Sequence, residues 1–161
     1  MNEHELTQIV QSVVHSLDQA KPVSGVTDVT LDMAKQLIAA VEQRAAQMGV
    51  HAVIAVANKG ANPVAVHCMD DSYIASYDIA FNKAYTCAAL KMPTTKLKEL
   101  AQPGGSLYGI QHTNDGRIVI FGGGIPIIKE GACIGGLGVS GGSEAQDTEL
   151  AESAQTVIDR F

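Results

Sequence analysis

Residues 51–69 read HAVIAVANKGANPVAVHCM. His51 to Ala57 and Pro63 to Met69 are two apolar runs rich in valine and alanine, and Asn58-Lys59-Gly60-Ala61-Asn62 between them is a Gly-containing hairpin loop. So short a connection predicts two antiparallel neighbours in one sheet. Pro63 is tolerable where a strand begins. Strand alternation puts Ala65, His67 and Met69 on one face, and Val66 and Cys68 on the other.

Helical periodicity flanks this hairpin. On its N-terminal side, Thr30 is a suitable N-cap with Asp32 in the first turn. Ala34, Leu37, Ile38, Val41, Ala45 and Met48 then recur at helical spacing, and Gly49 ends the run. On the C-terminal side, Ser72 to Lys91 is helical and alanine-rich, which permits close packing, and Pro93 stops it. Thr95 to Ala101 predicts a further turn or two, closed by Pro103-Gly104-Gly105. Asn114-Asp115-Gly116 is a turn, and Arg117 to Phe121, Ile125 to Ile128 and Ala132 to Val139 read as strands. Ser143 and Gln146 form a capping box before the last helix, whose buried stripe is Leu150, Ala151, Ala154, Val157 and Ile158. The order is α-β-β-α-(α)-β-β-β-α, an α+β class with helices against an antiparallel sheet.

In front of this domain, Leu6, Ile9, Val10, Val13, Val14 and Leu17 make one continuous helical stripe, opposed by Glu5, Gln8, Gln11 and Ser12. Lys21-Pro22 and Ser24-Gly25 follow as a leash. A helix this short is marginal alone in water, so its stripe needs a surface to dock on. The chain divides into an amphipathic helix over 1–18, a linker over 19–29 and a domain over 30–161.

Composition narrows the function. Hydrophobic residues are 46% and charged residues 17%, enough for one real core. Eleven basic against seventeen acidic residues give −6. That balance disfavours nucleic acid and anionic membrane as partners. Cys68, Cys87 and Cys133 are an odd number without CxxC spacing, which points to free thiols in a reducing, cytoplasmic compartment.

Several motifs need weighing. Gly136-Leu-Gly138-Val-Ser-Gly141 matches GxGxxG, but no strand follows its helix, so the βαβ unit of a dinucleotide site is missing. The N–H groups of Gly142 and Ser143, at a helix start, are expected to be free for a carboxylate. Lys83, the single lysine of an alanine-rich helix, must snorkel or meet an anion. The five histidines show no HxH, HxxxH or HExxH spacing, so no dedicated zinc site is expected. His67, followed by Cys68 and Met69, offers a haem-iron ligand, although a lone histidine at a strand end more often faces solvent or is hydrogen-bonded. Asp70-Asp71, Asp115 and Asp147 read as turn and helix-start residues rather than paired catalytic carboxylates.

Phe81-Asn-Lys83-Ala84-Tyr85-Thr86, Pro103-Gly-Gly-Ser-Leu-Tyr108-Gly109, Phe121-Gly-Gly-Gly-Ile-Pro126-Ile127 and Gly135-Gly-Leu-Gly-Val-Ser140-Gly-Gly142 with Gln146-Asp147 together resemble the GlcG/HbpS family. That family includes the C-terminal domain of PduO and the OrfY proteins. The resemblance covers about Thr30 to Phe161. It implies a profilin-like three-layer α/β/α fold with a five-stranded antiparallel sheet, usually in homo-oligomers. Some members bind haem, and some are linked to haem degradation or cobalamin metabolism. The adenosyltransferase domain of PduO is absent, and Cys68-Met69-Asp70 stands where the family often has Arg-Met-Asp.

The same blocks mark the expected ligand pocket: Lys83, Tyr108, Gly122, Gly123, Gly124, Pro126, Ser140, Gly141, Gly142 and Ser143. Residues 3–17 resemble the encapsulation peptides of bacterial microcompartment enzymes, which implies a shell protein or co-encapsulated enzyme as partner and the compartment lumen as location. The expectation is an accessory cargo protein that binds haem or a corrinoid. An enzyme acting on a small carboxylate or aldehyde, using Lys83, Tyr108 and the helix start at Ser143, is the alternative. A non-catalytic oligomeric scaffold is a third.

Overall fold

The computed structural model describes residues 27–161, so the predicted amphipathic helix over 1–18 and most of the linker lie outside the described residues. The first element is α1, Leu31–Met48, capped by the Thr30 hydroxyl and ended at Gly49. Strands β1 (Val53–Asn58) and β2 (Pro63–Cys68) form the predicted antiparallel hairpin. In its loop the Asn58 side chain accepts from the backbone N–H groups of Gly60 and Asn62. Then come α2 (Ile74–Leu90), α3 (Thr94–Leu100), β3 (Gly124–Lys129), β4 (Ala132–Ser140), α4 (Glu144–Ser153) and the single turn α5 (Gln155–Ile158).

The four strands pair antiparallel in the order β2-β1-β4-β3. The register sets Ile54 opposite His67 and Val139, and Ala55 opposite Val66 and Gly138. Alternation then sorts the core. Ile54, Val56, Leu137 and Val139 face α1 and α4, where Leu37, Ile38, Val41, Leu150 and Ala151 are buried. Val53, Ala55 and Ala57 face α2 through Ala80 and Ala84. Helices therefore cover both faces of the sheet.

The two faces are packed differently. The α1 face interlocks branched aliphatics, each worth about 1.5–3 kcal/mol when fully buried. The α2 face is a close approach of backbones. A Cβ on Gly138 would lie 2.1 Å from the Ala80 carbonyl oxygen, and one on Gly136 would lie 2.2 Å from that of Ala84.

The described residues hold four strands where the resemblance implied five. Arg117 to Phe121, read as a strand from its apolar run, joins no ladder, and its first residue is in the right-handed helical region. One of its N–H groups is served by a side chain: the Thr86 hydroxyl donates to the Asn82 carbonyl at 2.7 Å within α2 and accepts from the Val119 N–H at 3.0 Å. Ile118 alone of the run is buried, so the segment lies over α2 as a covering strap. The Asn114–Gly116 turn that precedes it takes three consecutive left-handed residues, pinned by the Tyr85 hydroxyl on Asn114.

Because backbone on one side and backbone on the other leave no room, Gly138→Ala is expected to lower stability by about 3 kcal/mol or more. Urea unfolding followed by circular dichroism measures this, as a fall in midpoint at unchanged slope.

Candidate functional site

The elements converge where β4 ends and α4 begins. Ser143 caps α4 through the Gln146 N–H, and the Gln146 side chain accepts from the Ser143 N–H, which completes the predicted capping box. The same cap corrects one expectation. The Gly142 N–H donates to Asp147 Oδ1 at 2.9 Å, and the Ser143 N–H is taken by Gln146, so neither is free for an external carboxylate.

Lys83 lies under this corner. It is 0% exposed, and its ammonium donates to Asp147 Oδ2 at 2.9 Å and to the Val139 carbonyl at 2.7 Å. The Phe121 ring sits over the nitrogen, 5.0 Å from centroid to Nζ. Burial pulls the Lys83 ammonium below the usual lysine range, while Asp147 acts in the opposite direction. Gly123 makes room for the amine: its φ of +106° is left-handed, and a Cβ there would stand 2.6 Å from Nζ. Lys83 thus meets an anion, as charge demanded, but the anion belongs to the chain. Asp147, read as a helix-start residue, is the buried counter-ion.

Around this pair lies a cavity of about 280 Å³ bounded by Tyr73, Ser76, Phe121, Ser140, Glu144 and Asp147. Ser140 donates to the Ser76 hydroxyl at 3.1 Å within its wall. Across Tyr73, Gly141 and Gly142 opens a second cavity of about 490 Å³, which includes His51, Asp71, Ser143 and Gln146. A third, about 660 Å³, runs between α1 and the end of β2 and is bounded by Ala39, Gln43, Ala46, His51, Cys68 and Met69 among others. His51 borders both larger cavities.

The remaining expected site residues scatter. Tyr108 is 66% exposed on the loop after α3. The Gly122 N–H donates to Glu144 Oε1, and the Gly124 N–H to the Thr94 hydroxyl. Pro126 sits in the edge strand β3, paired with Gly136. Ser140, Gly141, Gly142 and Ser143 do border cavities. His67 is half-exposed on β2, its Nδ1 2.9 Å from Glu42 Oε1. Among the described residues no group of three or more His, Cys, Asp or Glu is arranged to hold a metal ion. All three cysteines are free, and burial pushes the Cys87 thiol far up, which makes it inert.

Sequence reading missed Phe121, Glu144, Tyr73, Asp147 and His51 as site residues. The capping box was the available signal for Ser143, whose N–H it consumes, whereas the Gly142 N–H is taken by Asp147 outside the box.

Glu144 carries a pH signature. Lys98 Nζ at 2.7 Å and the Gly122 N–H hold its carboxyl below the usual 4.5. A carboxylate depressed on folding contributes stability above its unfolded value and loses it as pH falls through the folded one. Wild-type stability is therefore expected to drop between about pH 5 and pH 3, and Glu144→Gln to flatten that slope, in urea titrations across the range.

Comparison with known proteins places the chain. The family model described as "Haem degrading protein HbpS-like" matches residues 29–156. An uncharacterized 15.0 kDa protein of the dhaT-dhaS intergenic region of Citrobacter freundii is 46% identical over 80% of this chain and 91% of its own length. The corrinoid adenosyltransferase PduO of Salmonella typhimurium is 37% identical over 76% of this chain and 37% of its own length. The crystal structure of Klebsiella pneumoniae OrfY superposes with a TM-score of 0.82 at 42% identity, covering 84% of this chain and 94% of that one. A PduOC:haem complex superposes with a TM-score of 0.77 at 35% identity, covering 80% and 94%. The chain belongs to the HbpS-like family.

Proposed function

We propose that this protein is a haem-binding accessory protein of a bacterial microcompartment, delivered there by its N-terminal segment. The observation that carries the haem half is the likeness to the PduOC:haem complex across nearly the whole of that chain. The cavities of this protein fit such a ligand. Both larger ones, at about 490 and 660 Å³, lie in the size range of cofactor sites. Their walls offer a flat ligand the exposed Tyr73 ring in one and Ala39, Ala46 and Met69 in the other, beside the carboxylates Asp71, Glu42 and Asp70, with the His51 imidazole between them. Haem bound there would supply an iron centre able to bind a protein ligand and exchange an electron. A corrinoid presents a comparable flat macrocycle and is the alternative occupant.

Family resemblance supports assembly into homo-oligomers, and one surface suits it. Ile74 is 97% exposed at the start of α2, flanked by the exposed rings of Tyr73 and Tyr77. Apolar groups so clustered are commonly covered by another subunit. The delivery half rests on the amphipathic stripe from Leu6 to Leu17 followed by its Pro/Gly leash. Five strands and a profilin-like order of layers remain the family pattern to which this fold is compared.

Titration of purified full-length protein with haemin is expected to give a saturable Soret shift, whereas hydroxocobalamin under the same conditions gives none. A reversed pair of results would make the ligand a corrinoid, and two flat titrations would remove the tetrapyrrole reading. For delivery, residues 1–22 fused to a fluorescent protein are expected to form puncta in cells that build compartments. Diffuse fluorescence would exclude targeting by this segment.

A further inference from the structure

One face of β4 and one face of α2 meet along a ladder of matched positions. Gly136, Gly138 and Ser140 alternate onto the α2 side of the sheet, and Ala84, Ala80 and Ser76 recur at helical spacing opposite them. The first two rungs are closed, because a Cβ on Gly136 or Gly138 would strike the carbonyl oxygens of Ala84 and Ala80. The third rung is Ser140 against Ser76, a hydroxyl from each side, joined at 3.1 Å. Side chains in place of bare backbone hold the first turn of α2 off the sheet, and the cavity of about 280 Å³ lies at this rung.

Counting hydrogens at the third rung leaves one over. Ser140 is 5% exposed and Ser76 3%, and each hydroxyl carries a single hydrogen. One of the two closes the bond between them. The other has no acceptor among the described residues, and both hydroxyls border the cavity. A buried donor without an acceptor is costly, and the cavity is the place where an acceptor can arrive.

The rest of the wall decides the charge of that acceptor. Asp147 accepts from Lys83 and from the Gly142 N–H, and Glu144 accepts from Lys98 and from the Gly122 N–H. Both lysines and both N–H groups are therefore matched to carboxylates of the chain, so no positive charge is left for an anion. An ammonium would have to displace lysines that are already seated at 2.9 and 2.7 Å. Tyr73, Ile79 and Phe121 add rings and aliphatic surface. The volume falls just under the roughly 300 Å³ at which drug-sized sites begin, which suits a short molecule and excludes a macrocycle.

Independently of the haem reading, we infer that this cavity binds a small uncharged molecule with one hydrogen-bond acceptor, a short ketone or aldehyde. Its carbonyl oxygen takes the spare hydroxyl hydrogen of the Ser76–Ser140 pair, and its carbon chain lies against Ile79 and Phe121. Binding makes no covalent bond. A carboxylate of the same chain length is refused, because it would bring a further negative charge beside Asp147 and Glu144 without a free cation to meet it.

The test is a titration of isotope-labelled full-length protein with butanone, sodium butyrate and butylammonium chloride, read from backbone amide shifts in nuclear magnetic resonance spectra. Butanone is expected to give saturable shifts at Ser76, Ser140, Gly141 and Gly142, and the two ions to bind at least about tenfold more weakly. Ser76→Ala combined with Ser140→Ala removes both hydroxyls and strands neither. That double variant is expected to keep the wild-type circular dichroism and to bind butanone about fivefold or more weakly. Ala75→Phe narrows the cavity from an exposed position and is expected to abolish the shifts. No saturable shift with butanone would mean that solvent alone serves the hydroxyl, and overturns the site. Butyrate or butylammonium binding as tightly as butanone overturns the uncharged ligand class. Unchanged binding in the folded double variant overturns the role of the serine pair. If the double variant does not fold, unchanged shifts in Ala75→Phe overturn the site instead.

Discussion

A lysine ammonium with no exposure to water must be answered, and here Asp147 and the Val139 carbonyl answer it. Taking one charge out of water without a partner costs several kcal/mol even after relaxation, so the contact of Lys83 with Asp147 constrains everything nearby. The burial has a cause in sequence. Gly136 and Gly138 let α2 rest on β4 backbone to backbone, and a side chain projecting from α2 toward that corner has nowhere to go except inward. Asp147 then fixes the first turn of α4, its second oxygen holds the Gly142 N–H, and Phe121 closes over the amine. One ion pair ties together α2, β4, α4 and the glycine loop before β3.

This brace explains a division of labour. The charged groups at the corner are spent internally: Lys83 on Asp147, Lys98 on Glu144, and the N–H groups of Gly122, Gly142 and Ser143 on side chains. What borders the two larger cavities is the Tyr73 ring, aliphatic surface from Ala39, Ala46 and Met69, the His51 imidazole, and the carboxylates Glu42, Asp70 and Asp71. Exposure separates the two ion pairs. The Lys98–Glu144 pair is half-exposed, so it contributes less than the enclosed one. The Lys83–Asp147 pair is enclosed, and losing either member leaves the other stranded.

Much of the fold is legible in the sequence because its signals are local. Thr30 and Gly49 bracket α1, the Asn58–Asn62 loop fixes the first hairpin, and Ser143 with Gln146 starts α4. The failures are where local signals compete with tertiary ones. Arg117 to Phe121 has strand-like composition, yet its Val119 N–H is taken by the Thr86 hydroxyl of α2 and no ladder forms. At the site, Lys83 stands out from its apolar surroundings, but its partner is 64 positions away, and Asp147 has an adequate local role at a helix start. In sequence, His51 is simply the first residue of a strand-like run. Its place between the two larger cavities comes from Asp70 and Gly141 arriving beside it, which only the assembled fold supplies.

The Lys83–Asp147 contact, and not each side chain separately, holds this corner together. A double-mutant cycle on urea stability, with Lys83→Met, Asp147→Asn and the pair combined, addresses it directly. Each single change is predicted to cost about 3–5 kcal/mol, and the double change to cost less than their sum by about 1.5 kcal/mol or more. Additivity within about 0.5 kcal/mol would mean that the two residues act independently, and would contradict the claim that their contact braces the corner.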